Sequence, residues 1–422
     1  MAVAIAAPEV IHLSLVAGGA LIDARGMRLG KVADLIVRLG DDHYPPVTGV
    51  LASVAGRRVF VPAEAIGEIG LGRVVLHETR LDLQPFERRP QEVLLKEDVL
   101  DRQLINVEGA RLVRTNDIEI ARVEGWYRIV GVDTSPRGFL RRLVPSRFAG
   151  SIGASTFLDW ASVEPFTGHV PTVRLRVPHP KLARLHPAEV ADLVEAASHR
   201  EGEEILAAVH ADAELEADVF EELDPQHQVE FLEDRSDGDA AALLTRMESD
   251  DAADLINGLD EQRRESILSL LPGVQQRRVR ALLGYDATTA GGLMSPDFIC
   301  IFSQATRDEV IERIRRSTGP ADALAWIFVM NQHHRLKGAI QVIDLLRADP
   351  DAAAGEIAGP ARAVRADADL EEVARLMTDF DLTVAPVVDG DERLLGVITV
   401  DDVLEIVLPR GWRRSFRVFG DD

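Results

Sequence analysis

One short stretch groups carboxylates at the start of a predicted helix. In "GVITVDDVL" (396–404), Asp401 and Asp402 follow a strand-like run, and Glu405 lies one helical turn further on. Like charges at this spacing repel each other unless something positive lies against them. The stretch therefore predicts a bound cation, a nucleotide site or a basic partner. For Asp402 the alternative is a helix cap.

A second stretch has similar chemistry. In "SDDAADLINGL" (249–259), Asp250 and Asp254 are four residues apart and therefore share a helical face, with Asp251 beside them. Carboxylates on one face are suitable ligands for a hard cation, whereas an aspartate at the start of a helix also serves as an N-cap. Both interpretations of Asp250 stay open at the level of sequence.

Catalytic motifs do not accompany these acids. The sequence contains no Walker loop, GxSxG, HExxH or paired-cysteine zinc motif, and its single cysteine is Cys300. His333 and His334 fall in a predicted turn between two strands, where a solvated role is favoured over metal binding. We therefore predict that the protein is not an enzyme.

Charge and length indicate a multidomain acidic protein. A chain of 422 residues predicts about three domains. Most of the net charge of −23 lies between His186 and Glu265, which contain 25 acidic residues, five arginines and no lysine. This charge disfavours nucleic acid and favours cations or basic surfaces. No apolar run is long enough to cross a bilayer, no signal peptide is evident, and one cysteine fits a reducing cytoplasm.

The first 175 residues have the pattern of short strands joined by turns. "GALIDARGMRLGKVADLIVRL" (19–39) and "VPAEAI" (61–66) are echoed less regularly further along, where "LDWASVEPF" (158–166) parallels the second stretch. These stretches resemble a pair of PRC-barrel domains, which implies two small β-barrels that contact partners. We place them at 10–86 and 87–175.

The next region repeats every 12 residues. A proline-containing linker (176–187) leads into it, and the repeat predicts short stacked helices at 188–284, whose acids lie on turns and outer faces. The repeated apolar pairs are Val219/Phe220, Phe231/Leu232, Leu243/Leu244, Leu255/Ile256 and Ile267/Leu268.

The last third is an internal duplication. "WIFVMNQHHRLKGAIQVIDLL" (326–346) aligns with "APVVDGDERLLGVITVDDVLEI" (385–406) at a constant offset, and each copy reads as strand, turn, strand and helix. This resembles two CBS motifs, at 285–347 and 355–408, which implies an α/β CBS pair that dimerises. A tail rich in arginine and aromatic residues (409–422) follows.

The junction before this pair resembles a specific family. "TAGGLM" (289–294), preceded by an acidic helical domain and followed by a CBS pair, resembles the cytosolic part of MgtE-type magnesium channels. That resemblance implies Mg2+ ions held between the two domains, and Mg2+ prefers oxygen ligands. The metal ligands that it implies are Asp250, Asp251, Asp254, Glu371, Asp381, Asp402 and Glu405.

A nucleotide is the alternative ligand. "GVITVDD" has the glycine, hydroxyl and carboxylate spacing of CBS motifs that hold ATP or AMP, which predicts a site at Gly396, Thr399 and Asp402. The first copy carries Gln341 in place of the hydroxyl, so one site is expected.

The sequence thus predicts a multidomain α+β protein with PRC-like barrels, a short-helix domain and a CBS pair. Its expected function is that of a magnesium-responsive regulator, cytoplasmic or peripheral at the membrane, without a channel of its own. We expect a homodimer through the CBS domains and a partner at the barrels, such as a separately encoded transporter. The alternatives are an adenine-nucleotide sensor and a PRC-based scaffold.

Overall fold

The computed structural model describes residues 10–40, 42–79, 85–143, 157–166, 169–170, 181–317 and 323–408. The chain divides into two compact units, Met1–Leu223 and Asp224–Asp422. The C-terminal tail and most of the predicted linker lie outside the described residues.

Short strands dominate the start of the first unit, as expected from its alternating apolar residues and turn-forming glycines. The strands are β1 (Val10–His12), β2 (Ala20–Ile22), β3 (Arg28–Arg38), β4 (Val47–Val54), β5 (Arg57–Pro62), β6 (Ile66–Gly70), β7 (Arg73–Leu76), β8 (Glu92–Leu94), β9 (Gln103–Asn106), β10 (Arg111–Arg114), β11 (Asp117–Val123), β12 (Trp126–Asp133), β13 (Phe157–Asp159) and β14 (Val163–Pro165). Among the described residues of this part, two α-helices accompany them, α1 (Leu13–Val16) and α2 (Pro136–Leu143).

These strands form three open sheets. One has seven strands in the order β5-β4-β3-β2-β7-β6, with β8 added against β3. The others are β1-β11-β12-β13 and β10-β9-β14. Within the described residues no sheet closes into a barrel, so the PRC-like barrels stay a prediction.

Two strands pair across the predicted boundary at 86. β1 lies antiparallel to β11, with His12 opposite Glu119, and β8 lies antiparallel to β3, with Leu94 opposite Ile36. One buried cluster accordingly contains residues from both sides of the boundary, such as Val32 and Ile120. The two predicted lobes therefore share strands and a core.

Eight short helices follow, and several begin at a side-chain cap, as at Ser236, whose hydroxyl accepts a hydrogen bond from Asp239 N. The first unit contains α3 (Pro187–Ala196), α4 (His199–Val209) and α5 (Ala213–Glu221); the second begins with α6 (Pro225–Glu233), α7 (Asp237–Leu244), α8 (Ser249–Asn257), α9 (Glu261–Leu270) and α10 (Gly273–Leu282). Every member of the five repeated apolar pairs is buried. The predicted short-helix region is confirmed.

The CBS pair is also confirmed, as two similar three-stranded sheets. Each sheet pairs its first two strands in parallel and its last two antiparallel, in the orders β15-β16-β17 and β18-β19-β20. The elements are α11 (Ala290–Leu293), β15 (Ile299–Phe302), α12 (Arg307–Arg316), β16 (Trp326–Met330), β17 (Leu336–Gln341), α13 (Val342–Arg347), α14 (Ala354–Ile357), β18 (Val364–Arg365), α15 (Leu370–Asp379), β19 (Val384–Val388), β20 (Leu394–Thr399) and α16 (Val400–Val407).

Candidate functional site

Helix α8 presents the first group of predicted acids. Its N-cap is Glu248, so Asp250 and Asp251 lie inside the first turn, and Asp250 is not the N-cap. Ala252, Ala253, Leu255 and Ile256 are buried and fix which face of the helix packs inward. Asp254 follows Asp250 by four residues and is exposed on the helix surface.

The Asp250 carboxylate is poorly compensated. Its Oδ1 atom is buried and has no hydrogen-bond partner. The pKa of Asp250 is raised to about 7, mainly by burial and also by the negative charge of Asp402, while a hydrogen bond from the Ser295 side chain opposes the rise. The carboxylates of Asp250 on α8 and Asp402 on α16 therefore lie close enough to repel each other.

A second pair of acids continues this arrangement. Asp254 keeps some contact with solvent, but desolvation by the atoms around its carboxylate raises its pKa, and the nearby Glu405 carboxylate adds to the shift. Asp254 lies one turn after Asp250 on α8, and Glu405 lies three residues after Asp402 on α16. The two helices thus present two facing acid pairs, Asp250 with Asp402 and Asp254 with Glu405, which we call the acid strip.

The other predicted metal ligands have different surroundings. Asp251 is half-buried in the first turn of α8. Glu371 is exposed on α15 and forms an ion pair with Arg375, one turn along the same helix. Asp381 lies after α15 with a positive φ of 51° and lines a separate cleft.

Thr399 and Asp402, predicted as nucleotide-binding residues, bond to each other. The Thr399 hydroxyl donates to Asp402 Oδ2 over 2.6 Å, and Asp402 Oδ2 also accepts from Thr399 N at 2.8 Å. These contacts form a capping box at the start of α16, as the capping alternative for Asp402 predicts. Gly396 allows a close approach, because a Cβ there would lie 2.7 Å from Met294 Cγ and 2.8 Å from the Ser295 carbonyl oxygen.

A cleft lies beside the first CBS copy. It has a volume of about 420 Å3 and is lined by one aromatic ring, aliphatic side chains and three polar groups. Trp326 Nε1 donates to Thr383 Oγ1 over 3.0 Å at this cleft. The lining residues are Ala325, Trp326, Gln341, Val342, Ile343, Leu346, Asp381 and Thr383.

Two residues near the acid strip were missed from the sequence. Ser295 bonds to Asp250, and Asp297 lies close enough to raise the pKa of Asp250 further. The "SPD" stretch that contains both precedes a strand, and this position reads as an ordinary turn. The one feature of the sequence that could have identified these two residues is their position directly after "TAGGLM".

Comparison with known proteins agrees with this architecture. Residues 185–288 match the MgtE intracellular N domain, and residues 355–409 match the CBS domain. The chain therefore combines an MgtE N domain with a CBS domain. This part is homologous to the cytosolic domain of MgtE magnesium transporters, as the sequence predicted.

The relatives show the extent of the similarity. The magnesium transporter MgtE of Thermus thermophilus is 37% identical over 195 residues, which cover 45% of this chain and 43% of the relative. The Bacillus subtilis transporter MgtE is 28% identical over 193 residues, with the same coverage of each chain. The chain thus matches less than half the length of these relatives.

A solved structure of a related domain also matches this chain. The crystal structure of the cytosolic domain of the Mg2+ channel MgtE in complex with ATP aligns with a TM-score of 0.51 at 34% identity, covering 54% of this chain and 92% of that one. In the part of this chain that the structure describes, no helix is both long and apolar enough to span a membrane.

Proposed function

We propose that the acid strip binds Mg2+ and that the protein is a magnesium-responsive regulator. The observation that carries this proposal is the buried Oδ1 atom of Asp250, which has no hydrogen-bond partner and faces the carboxylate of Asp402. A buried carboxylate oxygen without a partner is costly, and a second carboxylate beside it increases the cost. A cation between the two groups removes both penalties.

The chemistry of the donor set fits Mg2+. The acid strip offers carboxylate oxygens and no histidine or thiolate, which are the ligands that Zn2+ and softer metals prefer. Mg2+ keeps several waters and is commonly bound through one or two carboxylates. The proposed ligands are Asp250, Asp254, Asp402 and Glu405, whereas Asp251, Glu371 and Asp381 stay predictions that this geometry does not support.

The proposed response is electrostatic. Without Mg2+, the facing acid pairs on α8 and α16 repel each other, and with Mg2+ they attract a shared cation. Binding would therefore hold the acids of α8 and α16 together. Because this part of the chain is homologous to a cytosolic domain, we place the response in the cytoplasm, and a membrane transporter is the proposed partner.

Thermal unfolding and small-angle scattering across a MgCl2 series test the proposal. Matched NaCl samples remove general screening of the acidic surface. We expect Mg2+ to raise the Tm and reduce the radius of gyration beyond the NaCl effect, and we expect Asp250→Asn with Asp402→Asn to abolish this difference. The matched control is Asp401→Asn, an exposed neighbour on the same helix. If MgCl2 and matched NaCl change the Tm and the radius of gyration equally, the proposal is wrong.

Nucleotide binding is the second candidate function, and the cleft at Trp326 favours it. The cleft combines an aromatic ring with the Thr383 hydroxyl and the Asp381 carboxylate, which are groups that stack on a base and bond to a ribose. The similar MgtE cytosolic domain was solved with ATP. The predicted Thr399 hydroxyl, by contrast, is buried and occupied by the capping box.

Titration with ATP or AMP distinguishes the two nucleotide sites. If the cleft binds the base, Trp326→Ala weakens binding and Thr399→Ser, which retains the capping hydroxyl, leaves it unchanged. If the predicted motif binds instead, Thr399→Ala abolishes binding while Trp326→Ala does not. Absence of binding to the wild type would remove this candidate function.

A further inference from the structure

The segment Ser295–Asp297 connects the element that carries Asp402 to the helix that carries Asp250. Ser295 N donates to the Val397 carbonyl over 2.7 Å, and Val397 N donates back to the Ser295 carbonyl over 2.9 Å. Val397 lies on β20, which leads directly into α16 and Asp402. One end of the segment is therefore fixed to the CBS side of the acid strip.

The other end of the segment is fixed to the helical side. Asp297 Oδ1 lies 2.7 Å from Arg278 Nη1 on α10, and Asp297 Oδ2 accepts a hydrogen bond from the Ser249 hydroxyl at 3.1 Å. Ser249 is buried, begins α8 and directly precedes Asp250. Gln275 supports the same point, because its side chain accepts from Ser249 Oγ at 3.4 Å and donates to the Leu244 and Met247 carbonyls.

We infer that Arg278 and Asp297 are positioning residues for Mg2+ at the acid strip, an inference that rests on the proposed function. Arg278 supplies a permanent positive charge to Asp297, so this carboxylate holds the start of α8 without a metal ion. The acid strip is then assembled before Mg2+ arrives. A preassembled site binds more tightly, because ligand binding does not also have to order the protein.

A positioning role and a purely electrostatic role predict opposite effects of Arg278→Gln on Mg2+ affinity. Asp297 adds negative potential at Asp250, and Arg278 neutralises that charge. If only charge mattered, Arg278→Gln would leave the strip more negative and tighten Mg2+ binding, while Asp297→Asn would weaken it. If the pair positions α8, both substitutions weaken binding.

The experiment measures the Mg2+ midpoint of thermal stabilisation, at constant ionic strength, for the full chain and its variants. We expect Arg278→Gln and Asp297→Asn each to raise the midpoint about fivefold, the size of one charge-assisted hydrogen bond partly screened by solvent. The double variant should match either single variant, because both break the same contact. Arg277→Gln is the matched control, since Arg277 is an exposed neighbour with the same charge.

Each outcome has a separate meaning. A lower midpoint for Arg278→Gln, or a midpoint equal to that of Arg277→Gln, overturns the positioning role and leaves the Mg2+ proposal standing. A wild-type chain that shows no Mg2+ response overturns both proposals. Arg278→Lys retains the charge, so partial recovery of the midpoint would support the ion pair, and the unfolding transition of each variant in metal-free buffer verifies that it folds.

Discussion

Three carboxylates in this protein differ in the groups that offset the cost of burying their charge. Asp34 is buried and accepts backbone hydrogen bonds from Leu35, Lys96 and Glu97. Asp297 forms an ion pair with Arg278. Asp250, however, faces another carboxylate, and one of its oxygens has no partner. Of the three, Asp250 is the one whose charge we propose a cation compensates.

At the residue scale, Asp250→Asn should stabilise the protein in metal-free buffer. The amide removes the repulsion from Asp402 and the cost of a half-buried charge, which we expect to raise the free energy of unfolding by roughly 1 kcal/mol. Chemical unfolding in metal-free buffer measures this, with Asp401→Asn as the control. A loss of stability would contradict the description of the acid strip as repulsive.

Elements with local signals were predictable, whereas their partners were not. The buried pairs Leu243/Leu244 and Leu255/Ile256 could be read from a 12-residue repeat, because an apolar pair that recurs at the same position of each helix marks the face that packs inward. The helix that each pair packs against could not be read in this way, since α7 packs on α9 and α8 packs on α10. The pairing of β1 with β11 could not be read either, because His12 and Glu119 are over a hundred residues apart and alternation identifies strands without identifying neighbours.

The candidate site was predictable where a local pattern marks its residues, and not where their roles depend on contacts with distant parts of the chain. Asp250, Asp254, Asp402 and Glu405 followed from helical spacing and from the family resemblance. Ser295 and Asp297 were missed because their roles depend on contacts with α8 and α10 that no local pattern encodes.

At the element scale, Asp34 should make stability depend on pH. It connects β3 to the turn after β8, and burial raises its pKa to about 7. Between the unfolded pKa of about 4 and the folded pKa, the native state binds more protons than the unfolded state, so stability falls as pH rises. Burial likewise raises the pKa of Glu119 to about 7, which adds a slope of the same sign.

Chemical unfolding of the wild type and of Asp34→Asn between about pH 4 and about pH 7 isolates the contribution of Asp34 to the pH dependence of stability. Asp34→Asn loses a hydrogen bond at every pH, which is a constant offset, and should show a shallower fall in stability towards neutral pH. Parallel pH profiles for the two proteins would show that Asp34 is ionised throughout.

Helix α2 should depend on one buried arginine. The Arg141 guanidinium is buried and bonds to Asp117 at 2.9 Å and Asp133 at 3.1 Å. Arg141→Gln leaves buried carboxylates without their cation, so we expect a loss of about 3 kcal/mol or more. Equilibrium unfolding measures it, with the exposed Arg137→Gln as control. Similar stabilities for both variants would refute this anchoring role.

At the scale of the whole molecule, exposed apolar side chains on the CBS helices favour a homodimer. Ile343 and Leu346 on α13 and Leu404 and Val407 on α16 are 46% to 56% exposed. Leu346 and Leu404 occupy equivalent positions in the duplication, so a second copy could cover both helices. We propose this surface as the dimer interface.

Sedimentation analysis tests the dimer. We expect the wild type to sediment as a dimer and the Leu346→Glu/Leu404→Glu double variant as a monomer, because two buried charges would face each other across the interface. A wild-type monomer at all concentrations, or a dimer unaffected by the substitutions, would rule out this surface.

The most direct test of the central claim is calorimetric titration of Mg2+ into the full chain at constant ionic strength. We predict saturable binding to the wild type, an unchanged Kd for Asp401→Asn, and a Kd at least about tenfold weaker for Asp250→Asn, which corresponds to one lost ligand. Equal affinity in all three proteins, or no saturable binding to the wild type, would contradict a magnesium site at the acid strip.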